Sequence, residues 1–325
     1  MEFKKIVIIQ TAFIGDVVLA TPLIEKLHHF FPQASIDFVL RKGNENLLEG
    51  HPHVRRVFIW NKKEGKIKHL FGLIGQIRSE RYDLVINLQR FGATGLMTWL
   101  SGAKMKVGFD KNPFAFSFDV KVRHEIGKGT HEVERNLSLI RQLTDDSFVR
   151  PKLYFDQEIA TRISIYTNEP YITLAPTSVW FTKQFPAHKW VDFLKQTDFS
   201  GRIFLLGAPS DFDACEQIRL AAGNERVENL CGLLSLLEST ALMRDAEMNY
   251  VNDSAPMHFA SAVNAPTTAI FCSTVPEFGF GPLSDKSRVV QVTQPLDCRP
   301  CGLHGHKACP KGHFKCAEGI EVNRL

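Results

Sequence analysis

No apolar run in this 325-residue chain is long enough to cross a bilayer. The first such run, Ile6–Ile9, ends at Gln10 after four residues, too short for the core of a secretory signal. These two absences predict a cytoplasmic protein. Nucleotide and hydrolase signatures are missing as well. No GxGxxG follows a strand-like segment, which disfavours a nicotinamide or flavin fold of the usual kind. No GxxxxGK followed by Ser or Thr marks a P-loop, and no GxSxG marks a nucleophile elbow. Neither sign of charge is in large excess: 39 Lys and Arg against 35 Asp and Glu leave a net +4, short of a nucleic-acid-binding signature. No nucleic acid partner is expected. The small basic surplus fits an anionic partner or an ordinary solvated surface. Low-complexity tracts and close repeats are absent, and 44% hydrophobic residues over this length suffice for two cores of ordinary domain size.

What is present is organised around Lys5–Leu27, KIVIIQTAFIGDVVLATPLIEKL. Ile6–Ile9 has the composition of a strand buried on both faces of a parallel sheet. Val17, Val18, Ala20, Leu23, Ile24 and Leu27 then fall on helical spacing, with Glu25, Lys26 and His28 opposite. Gly15 fits the intervening turn, and Asp16 stands where a sheet's carboxyl edge meets a helix start, the place where open α/β sheets bind ligands. Pro22 leaves two arrangements open: a kinked helix, or a helix starting at Pro22 and capped by Thr21.

The alternation continues through SIDFVL at 35–40, VRRVFIW at 54–60, YDLVINL at 82–88 and MKVGF at 105–109, with helical spacing over Ile67–Ile77 and Gly95–Leu100. Residues 41–69 carry eight Lys or Arg against three acids, either a solvated face or an anion-binding one. His131 and Arg135, four apart in HEVERNLSLIRQL, are predicted to share one exposed face of an amphipathic helix. Residues 144–170 lose periodicity and read as a connection between domains 1–160 and 161–325. The rhythm then restarts with YITLAPTS, RIFLLGAP, VENLCG, EMNYVNDS, TTAIFC and RVVQV, separated by helical segments. A parallel sheet covered by helices is the expectation for each half.

Two segments carry candidate chemistry. In VNDSAPMHFASA, at 251–262, Asp253 or Ser254 is placed to cap a helix whose Pro256 lacks only an N–H that would be unpaired anyway. The free N–H groups and helix dipole there favour an anion such as phosphate, with His258 a turn later as a donor; a capped structural helix with a partly buried histidine has the same composition. In APTSVWFTKQFPAHKW, at 175–190, Thr177, Ser178, Thr182 and Lys183 offer hydroxyls and one mobile cation after a strand. Asp16, Ser178, Gly207 and Asp253 each follow a strand-like segment, and so point to ligand-binding sheet edges.

FIGDVVLATPLIEKL, TSVWFTKQFP and NDSAPMHFASAVNAPTTAIF followed by PLSDKSRVV resemble, in order and spacing over almost the whole chain, the ADP-heptose:lipopolysaccharide heptosyltransferases of glycosyltransferase family nine. The resemblance implies an α/β GT-B fold: two Rossmann-like domains with parallel sheets facing across a cleft, acceptor bound mainly by the first (1–160) and nucleotide sugar by the second (161–325, with its Cys-rich tail). It implies an inverting, metal-independent transfer of heptose from an ADP-linked donor to the lipopolysaccharide inner core, with Asp16 as catalytic base. Another nucleotide sugar on the same fold, or a non-catalytic sugar-nucleotide-binding protein, are the alternatives. Thr177, Ser178 and Lys183 match the family's diphosphate contacts, and Asp253, Ser254, Ala255 and His258 its second nucleotide-sugar motif. Ala255 stands where the family usually has Gly. Asp211 matches loosely as a nucleoside contact. Gly15, His131 and Arg135 fall on the acceptor side, which gives the basic first domain an anionic acceptor and peripheral contact with an anionic inner-membrane surface.

The tail CRPCGLHGHKACPKGHFKC packs Cys298, Cys301, Cys309 and Cys316 into nineteen residues with His304, His306 and His313. A disulfide does not fit a reducing cytosol. A structural zinc or another thiolate-bound metal on the four cysteines, and reduced thiols in a compact loop, both stay open.

Overall fold

The computed structural model describes residues 2–325. Its chain divides into two compact units: one runs through Ile126 and takes in Glu132–Tyr154, the other holds Gly127–His131 and Phe155–Leu325. The second unit thus takes up the chain at Phe155, ahead of the expected 160/161 boundary, and claims a short earlier segment.

In the first unit the elements are β1 (Lys5–Ile9), α1 (Ile14–Val18), α2 (Thr21–Phe30), β2 (Ser35–Arg41), β3 (Val54–Trp60), α3 (Lys66–Glu80), β4 (Leu84–Asn87), α4 (Gly92–Leu100), β5 (Met105–Phe109), β6 (Val120–Val122) and α5 (Glu132–Ser138). The six strands pair in parallel in the order β3-β2-β1-β4-β5-β6. Ile6–Ile9 are fully buried in β1, as a central strand covered on both faces requires. The chain breaks rather than kinks at Pro22. Thr21 is the first residue of α2 rather than its cap: its hydroxyl donates to the Val18 carbonyl at 2.8 Å and accepts the Lys152 N–H at 2.9 Å. One face of the sheet is closed by Leu70, Leu73, Ile74 and Ile77 of α3 with Met97 of α4.

Part of the basic run is structural. Arg55 bonds the buried Asp37 of β2 through Nε at 2.9 Å, Tyr82 donates its hydroxyl to the same carboxylate, and Arg55 also reaches Glu80 at 2.9 Å. Arg55 and Lys5 hold the Glu80 carboxyl down at about 2.

The second unit contains α6 (Gln157–Ile163), β7 (Tyr171–Ala175), α7 (Ala187–Gln196), β8 (Arg202–Leu205), α8 (Phe212–Ala222), β9 (Val227–Asn229), α9 (Leu236–Arg244), β10 (Asn249–Asn252), α10 (Ala255–Ala262), β11 (Thr267–Phe271), β12 (Ser287–Gln291) and α11 (Lys315–Glu318). Its parallel order, β12-β11-β10-β7-β8-β9, repeats the first sheet's. In both units the first and fourth strands are neighbours and the winding reverses between them. That reversal leaves a crevice at the carboxyl ends of β1 and β4, and another at those of β7 and β10. Segment 144–170 is not wholly irregular: Asp156 caps α6 by accepting the Ile159 N–H at 2.9 Å.

Candidate functional site

Asp16 is the third residue of α1, just past the carboxyl end of β1, and its Oδ2 accepts the Phe13 N–H at 3.1 Å. On the β2–β3 side stand two cations. Arg41 ends β2 with its guanidinium 4.7 Å from the centre of the Phe13 ring; burial lowers its pKa against the opposing charge of Asp16. Lys62, beyond β3, donates to the Thr11 carbonyl at 2.6 Å and to the Thr11 hydroxyl at 3.1 Å. Burial first, then Arg41 and Lys66, bring its ammonium down to about 8.

On the other side Arg90 follows β4, Lys111 follows β5, His124 follows β6 and Arg135 lies on α5. Arg135 is buried and pairs with Glu132 at 2.6 Å. Burial raises the Glu132 carboxyl, Arg135 pulls it back, and the charge of Asp16 adds to the rise. His124 is buried with its ring neutral: burial, Arg90, Arg135 and Lys111 take it down to about 4, with Asp110 opposing. Asp16 therefore stands in a field of cations from both flanks of the switch point. The predicted shared face of His131 and Arg135 is corrected. The helix starts at Glu132, whose pairing with Arg135 turns that arginine inward. His131 precedes the helix, belongs to the second unit, and lies with Nε2 at 3.1 Å from the Gly281 carbonyl.

At the second switch point Lys183 and Asp253 meet at 2.7 Å, their side chains only 15% and 6% exposed. Asp253 also accepts the Thr274 hydroxyl at 2.5 Å. Asn252 fastens the two loops together: its Nδ2 donates to the Pro176 carbonyl at 2.8 Å, and its Oδ1 accepts the Phe185 N–H at 2.9 Å. Half-buried Thr177 and Ser178 lie on the same loop, where the Ser178 carbonyl takes the Gln184 amide at 2.6 Å. Ser254 precedes α10 but donates toward the Asn252 carbonyl at 3.4 Å instead of capping, and Ala255 is the first helical residue. His258 is buried in α10 as a neutral ring, pushed down to about 3 by burial and then by His131 and Lys183. Asp211 stands apart beyond β8, its Oδ2 accepting the Ala208 N–H at 2.8 Å.

The cysteine-rich tail folds back on this loop. The His306 N–H donates to the Thr182 hydroxyl at 2.8 Å, the Thr182 N–H to the His306 carbonyl at 3.1 Å, and the Ser273 hydroxyl to that of Thr182 at 3.0 Å. Gly305, at φ +77°, passes so close that a Cβ there would lie 2.8 Å from the Thr182 hydroxyl and 3.3 Å from Lys183 Cγ. All seven cysteines are free thiols. Burial opposes the Cys309 thiolate, but backbone N–H groups of Phe314, Lys311, Gly312 and His313 together outweigh it and lower its pKa, whereas burial pushes Cys316 up to about 11. Among the described residues, no three His, Cys, Asp or Glu side chains are grouped so as to hold a metal ion.

Sequence reading passed over Arg90 and Lys111 as site residues, although each follows an apolar strand as Asp16 does; the same positional signal points to them. From the sequence Thr182 reads as one more hydroxyl and Asn252 as a strand end; their roles in joining the loops come from the fold.

Residues 70–309 match the model of glycosyltransferase family 9 (heptosyltransferase). The chain belongs to this family. Lipopolysaccharide heptosyltransferase 3 of Escherichia coli (strain K12) is 29% identical over 286 residues, covering 80% of each chain. Among solved structures, the E. coli ADP-heptose lps heptosyltransferase II superposes with a TM-score of 0.78 at 23% identity, over 91% of this chain and 95% of that one. The glycosyl transferase family 9 protein from Veillonella parvula DSM 2008 gives a TM-score of 0.81 at 22% identity, over 89% and 86%. The fold of this family 9 glycosyltransferase is that of these enzymes, GT-B.

The buried neutral histidines of this glycosyltransferase make its stability sensitive to acid. His51 and His124 sit at about 4 and His258 at about 3. Each binds a proton more readily when unfolded, at about 6.5, so the stability they contribute is complete above that value and is lost as pH falls below it. Glu80 and Asp83, both held at about 2, add a second loss only below about pH 4. Urea unfolding at pH 7, 6 and 5 is expected to show a falling midpoint already at pH 6. His258→Gln should flatten that slope by up to one proton, about 1.4 kcal/mol per pH unit. An unchanged slope in that variant contradicts the assignment.

Proposed function

We propose that this chain moves a heptose from ADP-heptose onto the inner core of lipopolysaccharide, with inversion at the anomeric carbon. The Lys183–Asp253 pair at the second switch point carries the reading: a half-buried cation held ready where a Rossmann-type sheet binds nucleotides. The names of the relatives supply the donor and acceptor classes.

In this reading Asp16 takes the proton of the acceptor hydroxyl as its oxygen attacks the anomeric carbon. The glycosidic bond to the diphosphate breaks on the opposite face, through an oxocarbenium-like state. Lys183 and the N–H groups at the start of α10, around Ser254 and Ala255, take up the charge developing on ADP, so the leaving group is assigned no divalent ion. Thr177 and Ser178 line the diphosphate, and Asp211 lies toward the nucleoside. His258 shapes the donor side as a neutral ring. Gly15 and Arg135 belong to the acceptor side, where Arg41, Lys62, Arg90 and Lys111 attract carboxylate or phosphate; His131, an acceptor contact by resemblance to the family, stands in the second unit. The same basic surface favours peripheral contact with an anionic membrane face, and the reading places the enzyme in the cytoplasm.

Purified protein, heptose-deficient lipopolysaccharide and a panel of ADP-, UDP- and GDP-linked sugars test this directly. Transfer from ADP-heptose, with inverted product configuration, is expected. Transfer from a different nucleotide sugar overturns the donor, and binding without any transfer overturns the enzyme.

A further inference from the structure

Residues 298–306 of the cysteine-rich tail bury no apolar side chain; each of them is exposed or half-buried. The tail is anchored further on, where Cys316, Ala317 and Ile320 enter the apolar core of the second unit and the Phe314 ring lies 5.1 Å from that of Phe181. What the earlier stretch contributes is hydrogen bonds, and they converge on the two sides of the Lys183–Asp253 pair. On the Asp253 side, Arg299 Nε donates to the Cys272 carbonyl at 2.7 Å. Its Nη2 donates to the Thr274 carbonyl and to Gln291 Oε1, both at 2.7 Å, with the Phe271 carbonyl at 3.2 Å. All these acceptors are neutral, and three are main-chain carbonyls at the end of β11. A half-buried guanidinium committed to neutral carbonyls fixes a loop, because its donors form a rigid planar fork. That loop carries Thr274, whose hydroxyl donates to Asp253 Oδ2, the same oxygen that meets Lys183 Nζ.

On the Lys183 side the preceding residue, Thr182, is buried and bonded at every polar atom of its backbone and side chain. Besides its contacts with His306 and the Ser273 hydroxyl, its carbonyl accepts the Ser273 N–H at 3.2 Å, and the Ser273 carbonyl in turn accepts the Cys301 N–H at 2.8 Å. We infer that this stretch of the tail frames the donor site, with Arg299 and Thr182 as positioning residues that hold the Lys183 ammonium and the Asp253 carboxylate in place for a nucleotide diphosphate. Physical need supports the assignment. A lysine ammonium ends a flexible four-carbon stem, and a cation fixed in advance stabilises leaving-group charge without reorganising as that charge develops. Hydrogen bonds from a stretch that buries nothing apolar supply direction rather than bulk. The inference rests on the proposed role of Lys183 at the diphosphate.

Two variants test it from opposite sides of the pair. Arg299→Lys keeps the charge but brings one nitrogen where Arg299 uses two, and Thr182→Val keeps the shape without the hydroxyl. In each, ADP affinity by calorimetry should fall about tenfold and turnover about 10- to 100-fold, the scale on which a small misplacement acts. Thr182→Ser should recover both. In a Lys183→Ala background the same changes should cost no further ADP affinity, because residues acting through one cation do not add. Reductive methylation read by mass spectrometry follows Lys183 itself: without ADP its labelling should be slow in wild type and faster in Arg299→Lys and Thr182→Val. Should one variant not fold, the other carries the test. Losses that add to that of Lys183→Ala make the tail a packing element only and overturn the proposal, as does labelling of Lys183 at the wild-type rate in the folded variants. Faster labelling in the variants, with ADP bound by Lys183→Ala as by wild type, would sink the diphosphate reading and leave the frame around the pair standing.

Discussion

Asp16→Asn is expected to lower turnover by about 10²- to 10⁴-fold, the usual contribution of a positioned general base, while ADP binding stays at the wild-type level. The variant keeps the side chain's shape and an oxygen able to accept the Phe13 N–H that anchors Asp16 at 3.1 Å. What it loses is the ability to take a proton. Because Arg41 and Glu132 both feel the charge of Asp16, the substitution also removes a negative charge from a strongly cationic edge. Binding of an anionic acceptor should therefore hold or tighten as kcat falls, a split that simple misfolding does not produce. Steady-state kinetics on both substrates, with calorimetric ADP titration, separate the two. Full activity in Asp16→Asn would remove it as the base.

Lys183→Ala carries the second large effect. The ammonium sits 2.7 Å from Asp253 in a site from which water is mostly excluded, so its loss acts twice. A charge-assisted hydrogen bond to the leaving diphosphate disappears, worth about 1.5–3 kcal/mol, and Asp253 is left as a nearly buried, uncompensated carboxylate that repels the same diphosphate. ADP affinity should fall about 10²-fold or more, and transition-state stabilisation further still, since leaving-group charge is greatest there. Lys183→Ala/Asp253→Asn should recover part of the affinity, because the repelling charge is gone, without recovering full turnover. Thermal unfolding of the single and double variants gives an independent check, the single variant being the less stable. If ADP binds Lys183→Ala as it binds wild type, the diphosphate lies elsewhere.

Much of this architecture was legible in the chain itself. Strands buried on both faces announce themselves as short apolar β-branched runs, and a ligand-binding edge as a small or polar residue between such a run and a helix. Asp16, Lys183 and Asp253 stand out by that signal, and the roles proposed for them rest on the resemblance to the family. The short elements were not legible: β6 has three residues and α6 seven, too few for periodicity to rise above composition.

Local pattern determined the two halves, their parallel sheets and the residues that follow each strand, because apolar spacing and turn chemistry act over a handful of residues. Strand order, burial and long-range pairing were decided only in three dimensions. Lys183 and Asp253 are seventy positions apart and meet because β7 pairs with β10. Arg135 looked exposed and is buried because Glu132 supplies a countercharge. The cysteine-rich tail reads in the sequence as a compact loop or a structural metal site, and only the fold shows its backbone bonded to Thr182 beside Lys183. These contacts depend on which surfaces the fold brings together, and one stretch of sequence holds no record of the neighbours that the sheet will choose for it.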